Sequence, residues 1–368
     1  MTAGPRFKIA VVVAAAALLA GCSSGSGSSA STTTVVGAGA NTESGNVKEV
    51  KWEKVLAPRP CACSDGSEFH FWIRRANPKK VLFFLYGGGA CFSKETCATK
   101  PTFTANLSDD SSPTDGIFDF SNPENPFADY SVVAVPYCTG DLHLGTVIHD
   151  YGDGTLIRHV GAVNGMAAFT STASMFPDAT EVVVAGSSAG AAGSPLYAGL
   201  ASDLFPKANI VNIADAAGGY PANPGVTLAI GSLWGINSTI PAWPNAPEPG
   251  TPEWSLPGMA VQASKHDPEI TFVRIDHAAD EVQEQFNELA GLTDEPLINA
   301  ISANEQMIRD SGAKMNVWIN SGTEHTILGE GFYDAKIANE KLTVWLGGIV
   351  EGKKVDDERC DECSPVTN

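Results

Sequence analysis

Glu181-Val182-Val183-Val184-Ala185-Gly186-Ser187-Ser188-Ala189-Gly190 carries most of what can be read about the architecture of this chain. Glu181 to Ala185 is a continuous apolar run of strand length, and Ala191 to Leu204 follows as helix. A serine flanked by small residues between a strand and a helix has the G-x-S-x-G form of a nucleophile elbow. The turn is tight, so only small neighbours fit, and the Ser188 hydroxyl is left at a helix start whose free N–H groups favour negative charge.

Similar apolar runs recur on either side: Val81 to Tyr86, Ser131 to Val135, Asn209 to Ile213, Ile270 to Ile275 and Lys314 to Ile319. Helical segments separate them, at Val160 to Met175, Glu281 to Leu289, Leu297 to Asp310 and Ala335 to Leu346. Strands apolar along their whole length are buried on both faces, and their alternation with helices predicts one doubly wound, mostly parallel α/β domain over residues 50–350. Tyr220 to Met259 breaks the pattern with eight prolines and Trp234, Trp243 and Trp254. Proline denies both helix interior and central strand, so 220–259 is expected to be an irregular, cap-like insertion at the sheet's end.

Of 368 residues, 43% are hydrophobic and 18% charged, which excludes a disordered chain and supplies a sizeable core. Forty-two acidic against 23 basic residues give a net charge of −19, a surface that repels nucleic acid. Arg6, Lys8 and the apolar run Ile9 to Ala20 read as a signal sequence, too short to span a membrane. It ends in Leu19-Ala20-Gly21-Cys22, which is similar to a bacterial lipobox. Residues 1–21 are thus expected to be cleaved, Cys22 to carry a lipid anchor, and the Ser/Gly/Thr-rich 22–49 to be a flexible tether. The expected location is the cell envelope, outside the cytoplasm, with the lipid as the only membrane contact.

An acyl-transfer site also needs backbone donors for an oxyanion. Val81 to Tyr86 runs into Gly87-Gly88-Gly89-Ala90, a glycine loop after an earlier strand. A phosphate loop is the weaker reading, because no Gly-Lys-Ser/Thr follows. Gly88, Gly89 and Ala189 are the expected donors.

Four segments together resemble the pectin acetylesterase and Notum carboxylesterase family: Cys63-Ser64-Asp65-Gly66-Ser67, Leu85 to Cys97, Pro136-Tyr137-Cys138-Thr139-Gly140-Asp141, and Gly186 to Ala191. The similarity runs over roughly residues 60–330. It implies an α/β-hydrolase fold and a serine esterase without cofactor or metal. One departure is clear: Gly89 and Ala90 stand where family members commonly carry a tryptophan, which bears on the shape of the acyl pocket.

The base is expected after the last strand. Of seven histidines, His325 in Asn320 to Thr326 has that place and resembles the family's terminal histidine segment. His143 and His149 lie six apart in a loop, without the carboxylates a metal site would want. For the orienting acid, Asp280 in Asp280-Glu281-Val282-Gln283 is similar to the family's D-x-x-Q, with Asp276 as the alternative. Asp215 reads as structural. The expected activity is hydrolysis of acyl esters, acetyl foremost, on a polysaccharide. Deacylation of a lipid or lipidated protein is the alternative, and a non-catalytic glycan-binding protein the third reading.

Eight cysteines in an exported chain favour disulfides. With Cys22 set aside seven remain, of which Cys91 and Cys97 would close a short loop and brace the oxyanion turn. Cys61, Cys63, Cys360 and Cys363 could instead form a four-thiolate zinc site; the last two lie in a Cys-x-x-Cys tail, residues 351–368.

Overall fold

The computed structural model describes residues 51–107, 111–152, 154–292, 295–361 and 363. The expected signal sequence, Cys22 and the tether lie outside them. In chain order the elements are β1 (Trp52–Leu56), β2 (His70–Arg74), β3 (Asn77–Leu85), β4 (Tyr130–Val135), β5 (Val147–Asp150), β6 (Leu156–His159), α1 (Gly161–Met175), β7 (Glu181–Ser187), α2 (Ala189–Leu204), β8 (Asn209–Asp215), α3 (Pro224–Trp234), α4 (Leu256–His266), β9 (Thr271–His277), α5 (Glu281–Leu289), α6 (Leu297–Asp310), β10 (Lys314–Asn320), β11 (Lys336–Ile337), β12 (Glu340–Lys341), α7 (Leu342–Val350) and β13 (Glu358–Arg359).

Nine strands form one sheet in the order β1-β2-β4-β3-β7-β8-β9-β10-β13. The β1–β2 and β2–β4 pairs are antiparallel and the rest parallel. Alternate residues of one strand feed opposite faces, as the two-residue period requires. Val81, Phe83 and Leu85 of β3 and Val182 and Val184 of β7 enter one core with α1, α2 and α4. Leu82, Phe84, Val183 and Ala185 enter the other, where Trp345, Leu346 and Ile349 of α7 cover them. These side chains are essentially fully buried, each contributing roughly 1.5–3 kcal/mol. That two-sided burial makes the runs continuously apolar.

Three expectations need correction. Residues 220–259 are more regular than their proline content suggests. Pro224 opens α3 at a position where its missing N–H costs nothing, Asn223 caps it through Val226 N (3.0 Å), and Gly235 closes it in the left-handed region (φ 71°). The final helix is α7, not Ala335 to Leu346, because β11 and β12 pair across that start. The four-thiolate zinc site is ruled out by the disulfides Cys63–Cys138 and Cys360–Cys363. Cys91–Cys97 pairs as expected, and Cys61 is the buried free thiol that leaves seven cysteines odd.

Candidate active site

Ser188 follows β7 directly and caps α2 at φ 54°, ψ −119°, a region that side-chain-bearing residues rarely occupy. Its N–H donates to Asp215 O (2.8 Å), which holds the turn against β8. The flanking glycines are sterically compelled. A Cβ on Gly186 would lie 2.4 Å from Gly190 C, and one on Gly190 2.0 Å from Leu85 O. The glycine loop after β3 crosses this turn, with Gly87 so close that its Cβ would sit 2.7 Å from Ser188 Cβ. At Gly89 (φ 78°) a Cβ would meet Thr102 O at 2.1 Å. Thr104 N–H donates to Gly88 O (2.8 Å), Cys91–Cys97 closes the next turn, and Trp234 Nε1–H donates to Cys91 O (2.8 Å).

The other half of the site comes from the C-terminal ends of β9 and β10. Asp280 is fully buried at the start of α5. Its Oδ1 accepts from Val282 N (2.9 Å) and Gln283 N (3.0 Å), and its Oδ2 from Gln283 Nε2 (3.0 Å) and His325 Nδ1 (2.7 Å). The loop carrying His325 is fixed on two sides. Ala279 and Glu281 donate backbone N–H to Gly322 O and Thr323 O, while Asp215 accepts from Ile327 N and Leu328 N, each within 3.2 Å. Asp215 also accepts from Ser187 Oγ (2.8 Å), so one carboxylate ties the serine turn to the histidine loop. Burial raises the Asp215 carboxyl above its ordinary pKa, and the Leu328 and Ile327 N–H groups oppose that rise.

His325 Nε2 is buried without a hydrogen-bond partner among the described residues, and Ser188 and His325 line one cavity. Asp276 makes no hydrogen bond to His325 among the described residues. It accepts from Gly218 N (2.8 Å) and Gln283 Nε2 (3.0 Å), and burial pushes its carboxyl up to about 7. His143 is buried, pushed down to about 4 by desolvation, and donates through Nε2 to Tyr86 O (2.9 Å). His149 packs against Tyr151. Among the described residues Cys91, Cys97 and His159 come together as potential metal ligands. Both sulfurs are spent in the disulfide, and both His159 nitrogens are hydrogen-bonded, to Thr139 O and Tyr151 OH.

Two cavities meet at Ser188. One, of about 470 Å³, is lined by Gly89, Ala90, Leu142, Ile230, Trp234 and Phe286 among others, and is mostly apolar. Gly89 and Ala90 thus open onto this chamber, and Trp234 of α3 brings the indole to that wall from elsewhere in the chain. The other, of about 710 Å³, holds His325 with Trp72, Tyr86, Thr104, Phe118 and Tyr137. Sequence reading missed this division and the double role of Asp215. The signal for the latter was only its place at the end of β8, one strand beyond the serine.

The family model of the pectinacetylesterases matches residues 43–230, just over half of the chain. Curated relatives include the notum2 palmitoleoyl-protein carboxylesterase of Xenopus laevis, 33% identical over 92 residues, which are 23% of this chain and 19% of that protein. The NOTUM palmitoleoyl-protein carboxylesterase of Schmidtea mediterranea is 30% identical over 140 residues, 36% of this chain and 26% of that protein. The match therefore spans 19% and 26% of the length of these two relatives. An inactive palmitoleoyl-protein carboxylesterase, notum1b of Danio rerio, is 31% identical over 118 residues, 30% of this chain and 82% of that protein. Crystal structures of the Wnt deacylase Notum from Drosophila share the fold, at TM-score 0.62 and 19% identity over 85% of this chain and 97% of that one. With the α/β-hydrolase-like sheet, the glycine loop and the serine elbow in place, the chain belongs to the pectinacetylesterase family.

Proposed function

We propose that this protein is a serine carboxylesterase in which Ser188 is the nucleophile, His325 the general base and Asp280 the acid that orients it. The observation that carries this reading is the pairing of His325 with Asp280 at 2.7 Å, in a loop that leaves Nε2 unpartnered in the cavity that Ser188 lines. Neutral His325 takes the Ser188 proton as the oxygen attacks an ester carbonyl. Asp280 holds the Nδ1–H tautomer and stabilises the imidazolium. The Gly88, Gly89 and Ala189 N–H groups receive the oxyanion, each donor lowering the barrier by ~3 kcal/mol. His325 then protonates the departing alcohol and activates the water that releases the acyl group.

The same roles distribute the two halves of the ester. The imidazole that protonates the alcohol faces the larger cavity, so the alcohol belongs there and the acyl group in the apolar chamber. A chamber of about 470 Å³ supports an acyl chain longer than acetyl. A second reading, acetyl removal from a polysaccharide, is favoured by the larger cleft, which the partly exposed Tyr86 lines as a surface for a sugar ring. Three disulfides support a location outside the cytoplasm, with lipidation at Cys22 as the proposed anchor. A relative described as inactive makes turnover a question for these residues and not for similarity. Hydrolysis of p-nitrophenyl esters from C2 to C16 by wild type and Ser188→Ala, beside acetate release from acetylated pectin and xylan, tests the reading. An optimum at medium chain length is expected, a steep fall after C2 would favour the sugar ester, and equal rates for both proteins would end the serine mechanism.

A further inference from the structure

Gln283 joins two buried carboxylates. Its Nε2 lies 3.0 Å from both Asp280 Oδ2 and Asp276 Oδ1, and its Oε1 accepts from Gly219 N at 2.8 Å. An amide NH₂ has two hydrogens, and here both are donated. The amide cannot be turned over, since its oxygen would then oppose two carboxylates and its NH₂ would oppose the Gly219 N–H. The Asp280 oxygen it holds is the one that accepts from His325 Nδ1. Gln283, Asp276 and Asp280 are all at most 1% exposed, so no solvent dipole replaces a lost partner.

The two acids are treated differently. Asp280 accepts from two backbone N–H groups, one amide and one imidazole. Asp276 accepts twice, both times on Oδ1, while its Oδ2 is buried without a partner among the described residues. A hydrogen on that orphaned oxygen would leave Oδ1 free to accept from Gly218 and Gln283.

Building on the esterase reading above, we propose that Gln283 and Asp276 are positioning residues for the general base, an amide-bridged second carboxylic acid that fixes the Asp280 oxygen behind His325 and feeds its own charge state into the imidazole. Charged Asp276 puts a second negative charge on the far side of the Gln283 amide, where it adds to Asp280 in stabilising an imidazolium; neutral Asp276 leaves Asp280 alone behind the imidazole. Burial places that change near neutral pH. Among the described residues, the other charged or titratable groups that bear on Asp276, Asp280 and His325 include Arg274 and His277 on β9, Glu305 on α6, Glu284 on α5, Asp215 at the end of β8 and Tyr220 after it. The buried Arg274 guanidinium opposes the rise.

The test is the pH dependence of kcat and kcat/KM on a p-nitrophenyl ester for wild type, Gln283→Leu and Asp276→Asn, with the His325 imidazole titrated by NMR in the same proteins. Asn mimics the neutral acid in shape, so Asp276→Asn is expected to move the acid limb and the His325 titration to lower pH by about half a unit. Gln283→Leu is expected to lower kcat about tenfold to hundredfold, the cost of one charge-assisted hydrogen bond, with KM within about twofold. Superimposable wild-type and Asp276→Asn titrations, or a Gln283→Leu protein with altered KM and melting temperature but wild-type kcat, would overturn the proposal. Because NMR reads His325 without turnover, a protein that cleaves no ester yet shows the shift would sink the esterase reading and uphold only the coupling of Asp276 to His325.

Discussion

The chamber and the cleft on the two sides of Ser188 differ in their origin as well as their chemistry. The chamber is walled by α3, by α5 and by the glycine loop, and two of its amides are already engaged: Asn223 caps α3, and Asn287 Nδ2–H donates to Gly219 O. The cleft is walled by strand ends and by the loops after β3, β4 and β10, and it holds His325, whose buried Nε2 has no hydrogen-bond partner among the described residues. An enzyme that must hold an acyl chain and release an alcohol has reason to separate the two. The apolar side needs only volume, whereas the side where protons move needs a fixed donor. α5 links them, with Asp280 at its N-terminus and Phe286 and Leu289 in the chamber wall.

Substitutions at the junction should abolish the distinction. Ser188→Ala is expected to lose at least about 10⁴-fold in kcat on every ester, whatever its acyl or alcohol half. Asp280→Asn should cost ~10⁴-fold, since it removes the acceptor that sets the His325 tautomer while leaving both cavities intact. Initial rates across a panel varying each half separately measure both, and selective loss on one half would contradict the shared centre. On the side proposed for the acyl group, Ile230→Trp fills the chamber. It should reduce kcat/KM for a C8 ester by about tenfold to hundredfold, with little change at C2, because each excluded methylene is worth ~1 kcal/mol or more. On the side proposed for the alcohol, Leu107→Trp narrows the cleft and should lower turnover of a bulky glycoside ester severalfold without moving the chain-length optimum. If the optimum moved, the assignment of the two cavities would be reversed.

The smallest effect on turnover at neutral pH, and the largest on acid stability, concerns the floor beneath both. His143 follows Leu142 of the chamber wall and donates to the backbone of Tyr86 in the cleft, and buried His159 lies behind the oxyanion disulfide. Burial depresses both imidazoles to about 4. Above pH 6.5 both states hold them neutral and their contribution is complete. As pH falls from 6.5 towards 4, the unfolded chain takes up protons that the fold refuses, and up to about 3 kcal/mol per histidine is lost. Thermal unfolding between pH 7 and 4 should therefore fall steeply, and His159→Gln should flatten part of the slope. An unchanged slope would mean that His159 titrates freely in the fold.

Much of this site was legible before any coordinates, for a physical reason. The elbow is a local structure whose strand, glycines and helix lie within about twenty-five consecutive residues, and steric necessity wrote each glycine into the sequence. The disulfide Cys91–Cys97 was legible on the same ground. Cys63–Cys138, at a sequence separation of 75, was not, because spacing cannot choose among distant partners. The 220–259 segment was misread because proline was taken as a breaker, although at the first turn of a helix it fits without cost. Asp280 rather than Asp276 at His325 is a matter of which carboxylate reaches across from one strand end to the next loop.

By itself, then, the chain's order of residues determined the parallel α/β layering and the turn that bears Ser188, since burial on both faces and close backbone contact act between near neighbours. Only the folded molecule decided which acid meets His325, how Asp215 ties that loop to the serine turn, and that the space around Ser188 divides into an apolar chamber and an aromatic cleft. Those outcomes depend on side chains separated by tens to more than a hundred positions, whose distances are set by the packing of the whole sheet and not by any local preference.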